Sequence, residues 1–202
     1  MMALPHMAPL VAYTQSVAAK MGAGYELPNF DPCDGGVDAE ALLLLEAPGR
    51  KAMGSGLVSR NNPDPSAKRM CQLLADAAIP RKATLLWNII PWYIGLDSSI
   101  RAVTSVDLAA ARPFFAELIA LLPNLKAIVL IGRRAQGIAP EIRQLTNVRL
   151  FETHHPSQKV MNRWPERHQE MRDAFHNLAF FLHSGTRDLT NISPERSPRR
   201  SD

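Results

Sequence analysis

A short, uninterrupted apolar run constrains the fold of this chain more than any other feature. Residues 41–45 read Ala-Leu-Leu-Leu-Leu, and the run stops abruptly at Glu46-Ala47-Pro48-Gly49. A run of five is too short for a stable helix, and continuous rather than alternating hydrophobicity is typical of a strand buried on both faces. Three further runs, residues 84–90, 126–131 and 148–151, predict strands of the same kind.

Segments of helical spacing separate these strands. Helices are predicted over residues 8–21, 105–122, 133–144 and 165–183, and Asp64-Pro65 supplies a cap and a first-turn proline for another. A long loop is predicted after Gly49, up to Asn62. Pro113 is predicted to kink or interrupt its helix. Strands that alternate with helices predict an α/β layer fold with a largely parallel sheet.

Composition narrows the class of protein. The 202 residues carry 23 basic and 19 acidic side chains, a net charge of +4, which favours an anionic partner such as nucleic acid. Two cysteines cannot build a disulfide framework, a four-cysteine zinc site or an iron–sulfur cluster. No apolar segment approaches the roughly 20 residues of a membrane span. We therefore expect a cytoplasmic monomer with one domain over residues 1–185 and a disordered, basic Ser/Pro/Arg-rich tail over residues 186–202.

Three unusual sequences directly follow predicted strands, and a parallel sheet should bring them to one edge. Glu46 ends the first strand, where a carboxylate is either simply exposed or able to activate water. Asn88 lies inside an apolar run, where its amide either braces a loop or reads a base edge. His155, followed by Pro156 and Ser157, is suited to hydrogen-bond a developing oxyanion.

Metal binding by His154 and His155 is not expected. Neighbours in an extended segment point in opposite directions, and a third ligand is not evident. The basic residues that follow are either a solvated face or phosphate contacts, namely Lys159, Arg163, Arg167 and Arg172.

Together these motifs resemble the uracil-DNA glycosylase superfamily. Glu46-Ala47-Pro48-Gly49 is similar to its first motif, closest to the form found in the family-4 enzymes. Asn88 resembles the asparagine that reads the flipped base, and His155-Pro156-Ser157 resembles the second motif. The resemblance implies a three-layer α/β/α sandwich with a four-stranded parallel sheet, and hydrolysis of the uracil–deoxyribose bond after base flipping.

The resemblance also implies a role for each residue. His155 would stabilise the departing base and Glu46 would orient the water. Asn88 would select uracil, with the backbone of Ala47, Pro48 and Gly49 shaping the pocket. Leu57 is the candidate for its floor, because the loop after the first motif has no aromatic residue to stack on the base. Contacts to DNA would come from Ser157, Lys159 and Arg163. The segment from Lys159 to Met161 would enter the groove and hold the gap left by the flipped base.

The chain departs from the family pattern at several positions. Leu45 replaces the family-4 glycine, Ala47 replaces an aspartate or asparagine of other branches, and the four cluster cysteines are missing, so no cofactor is expected. These departures leave a second hypothesis open, a module that binds uracil or damaged DNA without cleaving it. A serine hydrolase using Ser157 is disfavoured because Ser157 lacks a Gly-x-Ser-x-Gly elbow. The sequence leaves open which deaminated base is preferred, and whether single or double strands are.

Overall fold

The computed structural model describes residues 3–96 and 99–184. Its strands are β1 (Asn29–Phe30), β2 (Ala41–Leu45), β3 (Leu57–Val58), β4 (Thr84–Asn88), β5 (Gly95–Leu96), β6 (Ser99–Ile100), β7 (Ala127–Ile131) and β8 (Arg149–Thr153). Its α-helices are α1 (Ala8–Met21), α2 (Arg50–Ser55), α3 (Pro65–Asp76), α4 (Ser105–Ala120), α5 (Arg133–Gln136), α6 (Ala139–Leu145), α7 (Gln158–Arg163) and α8 (Arg167–Ser184). Short 3-10 turns lie at Gly36–Asp38 and Arg81–Ala83.

The central sheet has four parallel strands in the order β4-β2-β7-β8. Leu45 pairs with Asn88 at the end of β2 and β4, and Ile131 pairs with Thr153 at the end of β7 and β8. The strand order reverses at β2, between β4 and β7. Ligands of open parallel sheets bind beyond the carboxyl ends of the strands at such a point.

The centre of the sheet is covered on both faces. The first four residues of β2 are at most 2% exposed, and all of β7 is buried. Successive side chains of a strand point to opposite faces, so complete burial requires a layer of helices on each side. The helices α3 and α8 contact each other, as do α1 and α4. The predicted three-layer α/β/α sandwich with a four-stranded parallel sheet is therefore confirmed.

Several predicted elements differ from the structure in detail. The predicted helix over residues 133–144 is two helices, because Pro140 lies in the first turn of α6 and cannot continue the helix before it. The long loop predicted between Gly49 and Asn62 contains α2, which Gly56 ends in the left-handed conformation. Pro113 does not interrupt α4, whose buried Phe114, Phe115 and Leu118 anchor it in the core.

The ends of some elements also shift. The strand predicted over residues 148–151 extends to Thr153, and α7 was not predicted. Within the described ranges, no helix is long and apolar enough to cross a membrane. The predicted tail over residues 186–202 lies outside the described residues.

Candidate active site

Glu46, Asn88 and His155 line one cavity of about 750 Å³. Glu46 follows β2, Asn88 ends β4 and His155 comes two residues after β8. These residues are far apart in the sequence, and the parallel sheet brings them together because it places all three strand ends at one edge.

The side chain of Asn88 is buried in the cavity wall with an unused donor. Asn88 is 3% exposed, and its Nδ2 atom has no hydrogen-bond partner among the described residues. Beyond the strand, the Ile89 amide donates to the Leu45 carbonyl and the Ile90 amide to the Glu46 carbonyl, so the backbone that carries Asn88 is held beside β2. Trp87, the residue before Asn88, stacks on Phe30 with 3.6 Å between the ring centroids. The amide is thus fixed in place and available to a ligand.

His155 is partly buried, and its backbone lies close to the end of β7. Gly132, at φ +89°, directly follows β7, and its amide donates to the Thr153 carbonyl at 2.8 Å. A Cβ added at Gly132 would lie 3.0 Å from the Cβ of His155, so only glycine gives the histidine this room. Burial lowers the pKa of His155 from its ordinary value of 6.5, while the negative charge of Asp64 acts in the opposite direction. The imidazole is therefore neutral at pH 7 and can donate one N–H.

Glu46 is partly exposed at the cavity wall. Among the described residues, none forms a hydrogen bond or ion pair with its carboxylate. A carboxylate without a protein partner keeps its acceptor sites for water or substrate. The arrangement therefore leaves Glu46 able to orient a water molecule.

The residues of the first motif form one wall of the cavity. Ala47, Pro48 and Gly49 all line it, and Gly49 precedes the first turn of α2. The apolar part of the lining also includes Val58, Met70, Leu86 and Ile94. His155 is the only aromatic ring among the described residues that line this cavity.

Leu57 does not line the cavity. It lies in β3, paired with Asn29 of β1, and the alternation of a strand turns the next residue, Val58, into the cavity wall. The hypothesis that Leu57 forms the pocket floor is therefore not supported by its position, and Val58 and Met70 offer apolar surface in its place.

His154 points away from His155. Its Nε2 atom lies 2.5 Å from Oε2 of Glu170 on α8, outside the cavity. Across the described residues there is no group of three or more His, Cys, Asp or Glu side chains placed to hold a metal ion. Cys33 and Cys71 are both exposed and unpaired.

The predicted DNA contacts lie beside the cavity rather than in its wall. The Ser157 hydroxyl accepts the Val160 amide and so caps α7. Lys159 and Arg163 are exposed on that short helix. The Arg163 guanidinium lies 4.6 Å from the centroid of the Trp164 ring.

Two further cavity residues were not identified from the sequence as site residues. Asp64 was recognised as the cap of α3, and its Oδ1 does accept the amides of Ser66 and Ala67, yet it also faces the site. Arg101 lines the cavity and forms two hydrogen bonds, of 2.6 and 2.7 Å, with Asp107. The Asp-Pro pair signalled only a helix start, and no sequence pattern singled out Arg101.

Comparison with known proteins identifies the family of this chain. The profile of the Uracil DNA glycosylase superfamily matches residues 33–179, which include all three strand-end residues. Similar solved structures include a protein from Methanosarcina acetivorans described as a candidate uracil DNA glycosylase, with 18% identity, 70% of this chain and 91% of that chain covered, and a TM-score of 0.48. No curated protein matches the chain.

An α/β/α sandwich thus carries a carboxylate, an amide and an imidazole in one cavity at the carboxyl edge of its sheet. Because the superfamily profile matches most of its length, the chain belongs to the uracil-DNA glycosylase superfamily. Membership supports a function of the DNA glycosylase kind, with DNA as the partner.

Proposed function

We propose that this protein is a uracil-DNA glycosylase, which hydrolyses the bond between uracil and deoxyribose after flipping the nucleotide out of DNA. The observation that carries the proposal is the buried Asn88 amide, whose Nδ2 has no partner among the described residues and lies in the cavity that His155 and Glu46 also line. A buried amide without a partner costs about 1–3 kcal/mol. A ligand that offers a carbonyl acceptor removes that cost, and uracil offers one beside an N–H.

The cavity suits a flipped pyrimidine. Its wall is mainly apolar with a few polar groups, which is typical of small-molecule sites. Asn88 can donate through Nδ2 and accept through Oδ1, so its amide matches the alternating donor and acceptor of the uracil edge. Cytosine presents an amino group where uracil presents a carbonyl, and would meet the Nδ2 donor with another donor.

His155 acts on the leaving base. When the N-glycosidic bond breaks, its electron pair goes to the base, which leaves as an anion, and the sugar becomes oxocarbenium-like. A neutral imidazole that donates its N–H to a uracil carbonyl oxygen stabilises this charge as it develops. Burial keeps the pKa of His155 low, so the imidazole is neutral. It therefore donates a hydrogen bond without placing a positive charge in the site.

Glu46 acts on the water and the sugar. Its carboxylate orients a water molecule toward the sugar carbon and stabilises the positive charge on the ring. The water adds to that carbon and gives a proton to the Glu46 carboxylate, which returns it to solvent. The uracil anion takes up a proton from solvent, which completes the hydrolysis. Other branches have an aspartate or asparagine at the position of Ala47, whose methyl side chain cannot orient water. In this chain the water-orienting role therefore falls to Glu46.

DNA outside the cavity would meet α7 and the residues before it. Ser157, Lys159 and Arg163 lie on the segment that directly follows His155, where exposed positive charge can neutralise phosphates. These contacts set the position of the duplex, while Asn88 reads the base.

The experiment is single-turnover cleavage of oligonucleotides that carry one uracil, in single and double strands, followed by alkaline scission. His155→Ala should lower the rate by about 100- to 1,000-fold with little change in DNA affinity, as expected for an oxyanion donor. Glu46→Gln keeps the shape of the side chain and removes its charge, so it should also lower the rate. If both residues serve one transition state, the double variant should lose less than the product of the two single losses.

The parent protein itself provides the decisive result. Binding to uracil-containing DNA without base release would show a recognition module instead of an enzyme. A panel with hypoxanthine, xanthine and thymine in place of uracil defines the preferred base. Equal rates for the parent and His155→Ala would exclude the mechanism described for the imidazole.

A further inference from the structure

Hydrogen bonds from α3, a helix distant in the sequence, hold the segment that carries His155. Arg69 lies on α3, and its Nη1 atom donates to the carbonyl oxygen of Pro156 at 2.7 Å. Its Nη2 atom donates to Oε1 of Gln158 at 3.2 Å. A guanidinium presents several N–H groups in one rigid plane, so a single side chain can hold two acceptors at a fixed separation.

The first of these acceptors is next to the imidazole. Pro156 directly follows His155 and is buried. Proline has no amide hydrogen, so the carbonyl is the one backbone group through which this residue can be held by a hydrogen bond. Arg69 supplies that bond, while Gly132 limits the position of His155 from the side of β7.

The helix that carries Arg69 is also a wall of the cavity. Residues of α3 and its cap line the cavity, namely Asp64, Ser66, Ala67 and Met70. Met70 is only 2% exposed. A side chain anchored on α3 therefore ties the His155 segment to the same rigid element that shapes the base pocket. The Arg69 side chain lies outside that pocket, in the wall of a second cavity of about 830 Å³.

We propose that Arg69 is a positioning residue for base release: by holding the Pro156 carbonyl and the Gln158 side chain, it fixes the imidazole of His155 against the leaving base. The proposal rests on the role given to His155 under the proposed function. A displacement of about 1 Å at a reacting group can cost 100-fold in rate, so two hydrogen bonds far from the base are enough to matter.

The test compares Arg69→Met with Lys68→Met. Lys68 is the preceding residue on the same helix, is exposed, and carries the same charge, so both variants lose one positive charge from one surface. Arg69→Met should lower single-turnover uracil release by about 10- to 100-fold relative to Lys68→Met, with matching DNA affinities. Arg69→Lys should restore part of the rate, because one ammonium can reach the Pro156 carbonyl without holding both acceptors.

A second measurement does not depend on catalysis. Titration of the His155 ring by NMR, assigned with His155→Gln, should give a pKa closer to 6.5 in Arg69→Met than in the parent, because a released segment exposes the imidazole to water. Lys68→Met should leave that pKa unchanged. Gln158→Ala should produce a smaller loss of rate than Arg69→Met, and the two losses should not add fully.

Equal rates and equal His155 titrations in Arg69→Met and Lys68→Met would overturn the proposal. A parent protein that releases no base would count against the proposed function instead. In that case, the NMR titration still decides whether Arg69 holds the His155 segment.

Discussion

At the residue scale, the buried amide of Asn88 in the cavity wall bears most directly on the proposed function. It is 3% exposed, and its Nδ2 has no hydrogen-bond partner among the described residues. An asparagine that served only as a brace would have its donor satisfied by the loop it braces. The position of this amide in the cavity wall therefore supports the proposal that Asn88 reads a base rather than braces a loop.

Replacing Asn88 should affect recognition more than stability. In Asn88→Ala, uracil release should slow and discrimination against cytosine and thymine should weaken, because the site loses its hydrogen-bond pattern for the base. The unfolding free energy should change little, since removal of an unsatisfied amide, worth about 1–3 kcal/mol, offsets the packing that is lost. Release assays on a base panel and urea unfolding measure the two effects.

The control is Asn124→Ala, at an exposed position before β7 and outside the cavity. It should change neither rate nor selectivity. An Asn88→Ala protein that releases uracil as fast as the parent would show that the amide only braces the fold.

His155 should make the stability of the protein depend on pH. Burial lowers its pKa in the folded state below the ordinary 6.5, so the unfolded chain binds more protons than the folded one when the pH falls below that value. The stability contributed by the neutral ring is complete above about pH 6.5 and is lost as the pH falls through the folded pKa. Urea unfolding at a series of pH values should show this loss in the parent.

In His155→Asn, the same series should show a weaker loss of stability in the acid range. His176→Asn is the control, because His176 is exposed on α8 and should leave the profile of the parent intact. Identical profiles for the parent and His155→Asn would mean that the imidazole is not buried in solution.

The sequence identifies those site residues that a local pattern sets apart. Glu46 ends an apolar run, Asn88 interrupts one, and His155 begins a distinctive motif. Arg69 has no such signal, because its role depends on a contact with Pro156 that is distant in the chain. Leu57 was predicted to line the pocket, whereas Val58 does so in the structure. The register of β3 decides which of these two neighbours faces the cavity, and a two-residue strand shows no alternation from which to read that register.

At the element scale, glycines shape the ends of the strands in different ways. Gly132 follows β7 at φ +89° and ψ 158°, a region that residues with a Cβ rarely adopt. Gly49 follows the first motif at φ −85°, an ordinary conformation, and an added Cβ there would have no heavy atom within 4 Å. The first glycine is therefore required by the fold, and the second is not.

Gly132→Ala should destabilise the protein and disturb the site together. The backbone strain alone costs about 1–3 kcal/mol, and the new methyl group would press on the Cβ of His155 at 3.0 Å. We expect a lower melting temperature and slower uracil release, measured by calorimetry and single-turnover assay.

Gly49→Ala, the matched control, should melt within a few degrees of the parent. If Gly132→Ala melts as high as Gly49→Ala, the close approach of β7 to the His155 segment does not exist in solution.

The sequence predicted strands and long helices better than connections. β2 and α1 were predicted with the bounds that the structure has, because burial on both faces and helical spacing are local patterns. The short helices α2 and α7 were missed, since six residues bury too little surface to leave a periodic signal. Their existence depends on the packing of the chain around them.

At the scale of the whole molecule, the two edges of the sheet are protected unequally. The outer side of β4 is covered by the loop that precedes β2, where the Gly35 amide donates to the Thr84 carbonyl and Asp34 accepts the Leu86 amide. At the other edge of the sheet, Arg149 and Glu152 of β8 are exposed. The central strand β2, in contrast, lies between β4 and β7. Local opening should therefore begin at β8.

Hydrogen exchange should follow that order. The amides of β2 and β7 should exchange slowest, close to the rate set by global unfolding, and those of β8 fastest among the four strands. Native-state exchange measured by NMR or mass spectrometry tests this. Equal protection across all four strands would mean that the sheet opens only as one cooperative unit.

The position of β8 also matters while the protein is being made. β2 is synthesised early but pairs with β4 and β7, which follow only after long crossovers, and β8 completes the sheet last. Until then, β7 has an open edge of unpaired backbone groups flanked by apolar side chains, a surface prone to pair with other chains. A chain that terminates before Thr153 would therefore lack His155 and also expose the open edge of β7, so incomplete copies should aggregate rather than keep a partial function.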